Sequence, residues 1–250
     1  MISSIEMREI IIKAAHSAKH GHIPSALSMV EIMVAYSDVE EENDILVLSK
    51  GHGCLALYSL LAIQGHVPMT ELFNFGRRGS RLGGHPDRNK LDKIYASTGA
   101  LGHGFPIAVG AAMARKILKK DGRVFCISGD GEANEGTIWE SCMVASKNKL
   151  NNLVCIVDNN DSQIRSLPVE DLGKKFQSFG WEVWDIDGHD IEKISEAITA
   201  WNPVEKPTAV IANTIKGKGI KEIENDMFAW HHRAPTDEEL ERFCEEIYES

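Results

Sequence analysis

The sequence predicts an α/β fold, a parallel sheet flanked by helices, and three observations carry that reading. Short apolar runs rich in Val, Ile and Leu stand at 46–48, 124–128, 153–157 and 208–213, bounded by polar residues or glycine, as expected of strands buried on both faces. Segments with apolar residues at helical spacing lie between them, and a strand–helix–strand crossover brings the second strand back beside the first, pointing the same way. No internal repeat, low-complexity tract or linker interrupts the 250 residues, so a single domain over 1–250 is expected.

In chain order, residues 5–18 read as an amphipathic helix and 27–36 as a second one, followed by an acidic, solvated loop at 38–44. The strand at 46–48 runs into Ser49-Lys50-Gly51-His52-Gly53, and 55–64 is a helix closed by Gly65. Two polar, glycine-rich loops follow, RRGSRLGGHPD at 77–87 and STGALGHG at 97–104, then a helix at 105–118. After the strand at 124–128 come a helix around 138–148, the strand at 153–157 and a loop over 161–172. Residues 181–186 alternate apolar and polar like a strand with one open face. Helix 191–200, strand 208–213 and a glutamate-rich helix at 237–248 complete the series. Lys216 and Lys218 lack an intact phosphate-loop pattern and are expected as surface charge.

Composition sets outer bounds. A net charge of −10 gives no electrostatic reason to expect nucleic acid. The five cysteines show no paired spacing, and two fall inside expected strands, which fits a reduced compartment. No signal peptide opens the chain and no apolar run approaches membrane-spanning length, so a cytoplasmic protein is expected. His16, His20 and His22 carry no thiolate partner or zinc spacing and are not expected as metal ligands.

The chemistry centres on residues 124–160. Gly129 and Gly131 allow a tight turn and a close backbone approach to a ligand, and the helix start beyond them offers free N–H groups to an anion. Asp130 and Asn160 leave the same sheet edge and supply hard oxygen ligands, which magnesium joins with phosphate oxygens and water. The turn alone is common; its pairing with Asn159-Asn160, about thirty positions on and after a second strand, is far more specific. His52, His85 and the clustered arginines of 77–81 either face a ligand or sit on exposed turns.

That pairing resembles the thiamine diphosphate enzymes. With GHIPSALSMVEIM, VLSKGHGCLALYSLL, FGRRGSRLGGHPD, STGALGHG, GDGEANEG and KGKG with WHHRAP in family order and near-family spacing, the chain is similar to transketolase over nearly its whole length. The resemblance implies the thiamine diphosphate-binding fold, with Mg2+ held by Asp130, Asn160 and the Ser162 backbone carbonyl. Cofactor contacts are implied for His52, Gly99, Ala100, Leu101, Gly129, Asp130, Gly131, Glu132, Asn160, Ile164 and His231. His22, His52, His85 and His231 match histidines of the substrate channel, and Glu135 matches a glutamate in a carboxyl network across the subunit interface.

The implied reaction is transfer of a two-carbon ketol unit from a ketose or ketose phosphate to an aldose. Full-length transketolases add a pyrimidine-binding domain, whose glutamate activates the cofactor, and a C-terminal domain. The resemblance is therefore to the N-terminal subunit of a split enzyme. Its partner is a C-terminal subunit carrying the pyrimidine-binding domain, in a heterotetramer, and an exposed apolar face is expected where that partner docks. The segment between Ala35 and Leu46 is shorter than usual, His103 replaces a frequent glutamine, and DSQIRS follows Asn160 where an Ile-Asp-Gly turn is common. Alternative readings are the thiamine subunit of a two-chain 2-oxo acid dehydrogenase, deoxyxylulose phosphate synthase, and a non-catalytic cofactor-binding partner.

Overall fold

The computed structural model describes residues 2–163, 167–200 and 205–249. The strands β1 (Ile45–Leu48), β2 (Val124–Gly129), β3 (Leu153–Asn159), β4 (Glu182–Asp187) and β5 (Thr208–Asn213) form one all-parallel sheet in the order β1-β2-β3-β5-β4. Val124 pairs with Leu153 and Gly129 with Asp158, so β2 and β3 end level with one another. Successive β2 residues face opposite sides: Phe125 and Ile127 join one apolar cluster, Val124 and Cys126 the other. This two-sided burial is why the central strands read as unbroken apolar runs. β4 lies at an edge and stays partly exposed, which explains its alternating sequence.

Helices α1 (Ser4–Ala18), α2 (Ile23–Leu27), α3 (Val30–Val39) and α4 (Cys54–Ile63) contribute to the first cluster. The expected helix at 27–36 is in fact two: α2 has Pro24 in its first turn and ends at Leu27, capped by Ser28, and α3 starts at Val30. The acidic loop accordingly begins at Glu40 rather than Asp38. A short α5 (Met69–Leu72) precedes the long polar loops. α6 (Gly104–Leu118), α7 (Gly136–Lys147) and α8 (Leu172–Ser178) cover the second face. α9 (Ile191–Thr199), a short α10 (Lys221–Asn225) and α11 (Asp237–Glu249) return to the first. Neither α5 nor α10 is long enough to leave a periodic signature in sequence.

All five cysteines are free and four are buried, where they pack as small hydrophobes. Among the described residues no helix is long and apolar enough to cross a membrane.

Candidate functional site

Four neighbouring strands deliver one polar residue each to a common place: Lys50 just past β1, Asp130 past β2, Asn160 past β3 and Lys216 past β5. Parallel strands of matched register make this convergence automatic, since their carboxyl ends share one edge. A cavity of about 300 Å3 opens there, lined by these four side chains together with His22, His52 and His231. A larger cavity of about 420 Å3 lies at the opposite edge, beside Glu40, Asp44 and Tyr95. Its lining mixes carboxylates with leucine and isoleucine side chains and has no glycine turn facing two lysines, so the smaller cavity is the candidate site.

Asp158, fully buried and outside the cavity lining, ties together the Lys50 and Asn160 side chains that do line it. Its Oδ2 accepts from Ser28 Oγ at 2.6 Å, from Asn160 Nδ2 at 3.0 Å and from Lys50 Nζ, and its Oδ1 accepts from Thr214 Oγ1. Burial alone would raise this carboxyl, but the Lys50 charge and the surrounding donors outweigh it and hold it below its usual range. The Asn160 amide also donates to Ser28 Oγ at 3.0 Å. Both amide hydrogens are thereby used, and Oδ1 is left buried with no hydrogen-bond partner among the described residues.

Asp130 is buried beside it, and burial, reinforced by the Asp158 charge, raises its carboxyl. Ser162 Oγ donates to Asp130 Oδ1 at 2.6 Å. An orphaned amide oxygen next to a carboxylate destabilised by burial is a donor set suited to a hard divalent cation, which would relieve both. Two lysines complete the match to an anion. Burial and the nearby Lys50 lower the Lys216 ammonium to about 8, a cost that a diphosphate would offset. The residues present therefore fit a metal-bound diphosphate.

Histidines cluster in the same cavity. His22 Nε2 lies 3.0 Å from His231 Nε2, and the His22 and His52 rings are 4.7 Å apart. Burial, with the neighbouring imidazoles and lysines, drives His22 far below the usual imidazole range, takes His52 down to about 3 and lowers His231. Glu132 is buried, accepts from Ser49 Oγ at 2.6 Å and from Gly102 N–H at 2.8 Å, and keeps Oε2 without a partner among the described residues. Burial raises its carboxyl.

Of the expected site residues, His22, His52, Gly99, Leu101, Gly129, Asp130, Gly131, Glu132, Asn160, Ser162 and His231 line the cavity. His85 is exposed and outside this lining; its ring packs over Gly99, 2.9 Å from where a Cβ would sit. Ala100 is exposed, and Glu135 lies exposed just before α7, beside Gly102. Ile164 falls outside the described residues.

Lys216 corrects the expectation of surface charge: it is 5% exposed and lines the cavity. Ser25, Lys50, Asp158 and His232 were not expected. A lysine directly followed by glycine at the end of an apolar strand, as in Lys50-Gly51 and Lys216-Gly217, is the signal that could have found the two cations.

Residues 2–246 match the transketolase thiamine diphosphate binding domain family. The chain is 38% identical over 255 residues to an apulose-4-phosphate transketolase subunit of Actinobacillus succinogenes, covering 96% of this chain and 92% of that one. It is 36% identical to the 6-deoxy-6-sulfo-D-fructose transketolase subunit SqwG of Clostridium sp. strain MSTE9, covering 93% and 90%. Human transketolase is 36% identical over 95% of this chain, which spans only 40% of the human protein's length. Among solved structures, transketolase from Campylobacter jejuni superposes with a TM-score of 0.87 at 28% identity, covering 99% of this chain and 43% of that one.

Proposed function

The chain belongs to the transketolase family through its thiamine diphosphate binding domain, and from that premise we propose that it is the N-terminal subunit of a two-chain transketolase. It moves a two-carbon ketol unit from a ketose to an aldose and requires a separate subunit carrying the pyrimidine-binding domain. The observation that carries this reading is the unpartnered Asn160 Oδ1 beside Asp130, with Lys50 and Lys216 lining the same cavity.

Asp130, Asn160 Oδ1 and the Ser162 carbonyl would hold Mg2+, while Lys50 and Lys216 neutralise the diphosphate and Gly129 and Gly131 admit it against the backbone. Thiamine diphosphate, when bound, supplies the electron sink for cleaving a carbon–carbon bond next to a carbonyl. The chain's own part is to orient and to move protons. The paired Nε2 atoms of His22 and His231 can share only one hydrogen between them. The acceptor nitrogen's lone pair is held by that shared hydrogen, so a substrate hydroxyl would reach it by displacing the partner ring, and it could then take the hydroxyl proton and return it. His52 and His85 orient the substrate, and Gly99, Ala100, Leu101, Glu132 and Ile164 complete the cofactor's surroundings.

The short relatives are themselves named as subunits of transketolases, which supports a partner chain, in a heterotetramer to which Glu135 would contribute at the interface. Exposed Ile107, Met143 and Val144 on α6 and α7 supply apolar surface for that docking. The two relatives named for apulose 4-phosphate and 6-deoxy-6-sulfo-D-fructose support a ketose with an anionic far end as donor. The whole is read as one domain over 1–250, working in the cytoplasm.

The test is ketol transfer from ketose phosphates and sulfonates to an aldose phosphate, with thiamine diphosphate and Mg2+. It is run for this chain alone, with a candidate C-terminal partner, and with Asp130→Ala in the mixture. Activity confined to the mixture and lost in the variant is expected; full turnover by the chain alone would overturn the two-chain reading.

A further inference from the structure

His189, in the turn after β4, does not line the cavity, yet its imidazole is only 15% exposed and uses both nitrogens. Nε2 accepts the Ile215 backbone N–H at 2.8 Å, and Nδ1 lies 2.9 Å from Glu31 Oε2 on α3. A backbone N–H can only donate, so Nε2 carries no hydrogen and Nδ1 bears the proton that meets the carboxylate. The ring is therefore held in one neutral tautomer.

Glu31, its side chain 7% exposed, also receives the Arg8 guanidinium of α1 at 2.7 Å. Arg8 Nε in turn donates to the Lys218 carbonyl at 3.0 Å. Ile215 and Lys218 bracket Lys216, and Gly217 N–H is tied to the Pro24 carbonyl at 3.0 Å. Thus a buried carboxylate outside the cavity grips the lysine loop on both sides, once through an imidazole and once through a guanidinium.

We propose that His189 is a positioning residue for Lys216: its neutral, Nδ1-protonated imidazole fixes the Ile215 amide, and thereby the loop that carries the Lys216 ammonium into the cavity. The proposal deepens the cofactor reading and rests on it, because Lys216 matters there as a diphosphate partner. It also has a built-in pH dependence. A second ring proton would sit on Nε2 and face the Ile215 N–H, two donors head to head, so the imidazolium and the loop bond exclude each other.

The charged side chain that meets the ring is Glu31 from α3, with the Arg8 guanidinium of α1 behind it, and Asp187 accepts the His189 backbone N–H at 2.9 Å. Acidification that protonates His189 would keep its pairing with Glu31 while releasing the lysine loop.

The experiment compares the unsubstituted chain with His189→Ala and His189→Gln across the acid-to-neutral range. It uses three readouts: hydrogen-exchange protection of the Ile215 amide, corrected for the intrinsic rate; the titration of Lys216 followed by NMR; and the affinity for thiamine diphosphate with Mg2+, followed by fluorescence. Expected are Ile215 protection that falls in acid for the unsubstituted chain, is lost at every pH in His189→Ala, and is retained without pH dependence in His189→Gln, which offers a donor and an acceptor but cannot titrate. The Lys216 titration moves in His189→Ala, and its cofactor affinity falls roughly fivefold, the worth of one lost hydrogen bond.

Unchanged Ile215 protection and Lys216 titration in His189→Ala would overturn the proposal, as would protection in the unsubstituted chain that ignores acid. Loop effects as expected, without thiamine diphosphate binding by the unsubstituted chain alone or with its partner, would uphold the positioning role and sink the cofactor reading.

Discussion

His22, ahead of α2, and His231, ahead of α11, meet Nε2 to Nε2 at 3.0 Å although 209 positions separate them in sequence. Two imidazoles so close cannot both be charged, and burial already disfavours charge on either. Segments near both ends of the described chain thus contribute to a neutral imidazole pair.

That neutrality has a stability signature. In the unfolded chain His22 and His52 take up protons below their ordinary value of 6.5, whereas folded His52 resists until about 3 and folded His22 lower still. Between those limits the unfolded state binds more protons, so stability is complete above about pH 6.5 and falls as the solution is acidified. Each imidazole adds a slope of up to about 1.4 kcal/mol per pH unit. Urea denaturation of the cofactor-free chain at a series of pH values should show this loss, with a shallower slope in His52→Gln; equal slopes would contradict the assignment.

Replacing Lys50 by Met strands the Asp158 carboxylate, which is fully buried. Removing one member of such a pair costs about 3–5 kcal/mol. Urea denaturation would measure it, and a loss under about 1 kcal/mol would mean that Ser28, Asn160 and Thr214 satisfy the carboxylate without the lysine.

Asp130→Ala separates stability from binding. The carboxyl is raised by burial in the cofactor-free protein, so its removal should leave the melting temperature unchanged or higher. Mg2+-dependent thiamine diphosphate affinity should fall by ~100-fold or more, since the variant loses the carboxylate proposed to hold the metal. Calorimetry of the mixture with the partner chain reads both quantities.

Gly102 has φ +77°, and a Cβ there would lie 2.5 Å from Thr137 Oγ1 and 2.6 Å from Glu135 Cβ. Gly102→Ala should cost about 1–3 kcal/mol from the left-handed backbone alone, and more from the contact. It should also weaken cofactor binding, because the Gly102 N–H that reaches Glu132 must shift. Thermal melts and cofactor titration check the two effects together.

Ile107→Glu with Met143→Glu alters side chains that are 41% and 53% exposed. The isolated chain should melt within about 1 kcal/mol of the parent. Co-purification with the C-terminal partner should fall sharply; undiminished association would place that interface elsewhere.

Most of this architecture was legible because the central strands are buried on both faces and therefore spell themselves out as unbroken apolar runs. Asp130 and Asn160 were legible too, since a level register carries both to one edge. Asp158 was not, although it adjoins the Asn159-Asn160 pair: its partners Ser28, Lys50 and Thr214 lie 130, 108 and 56 positions away and leave no local pattern. Lys216 escapes a sequence reading for a related reason. Lys216-Gly217 just past the β5 run flags a strand-end lysine, but the carboxylates that draw it inward, Asp130 and Asp158, meet it only in three dimensions across the sheet edge. The split between α2 and α3 was hidden as well, because the apolar spacing continues through Ser28 and only the third dimension places its hydroxyl against Asp158.

The reach of those Asp158 bonds also bears on how the molecule comes into being. A nascent chain that has emerged only through β3 already holds Asp158, Lys50 and Ser28, but Thr214, Lys216 and His231 are still unmade. Contacts of such long sequence separation form late and slowly. Ligand capture is therefore a property of the finished molecule, and binding during refolding would register the last closure of the chain rather than the first collapse of its core.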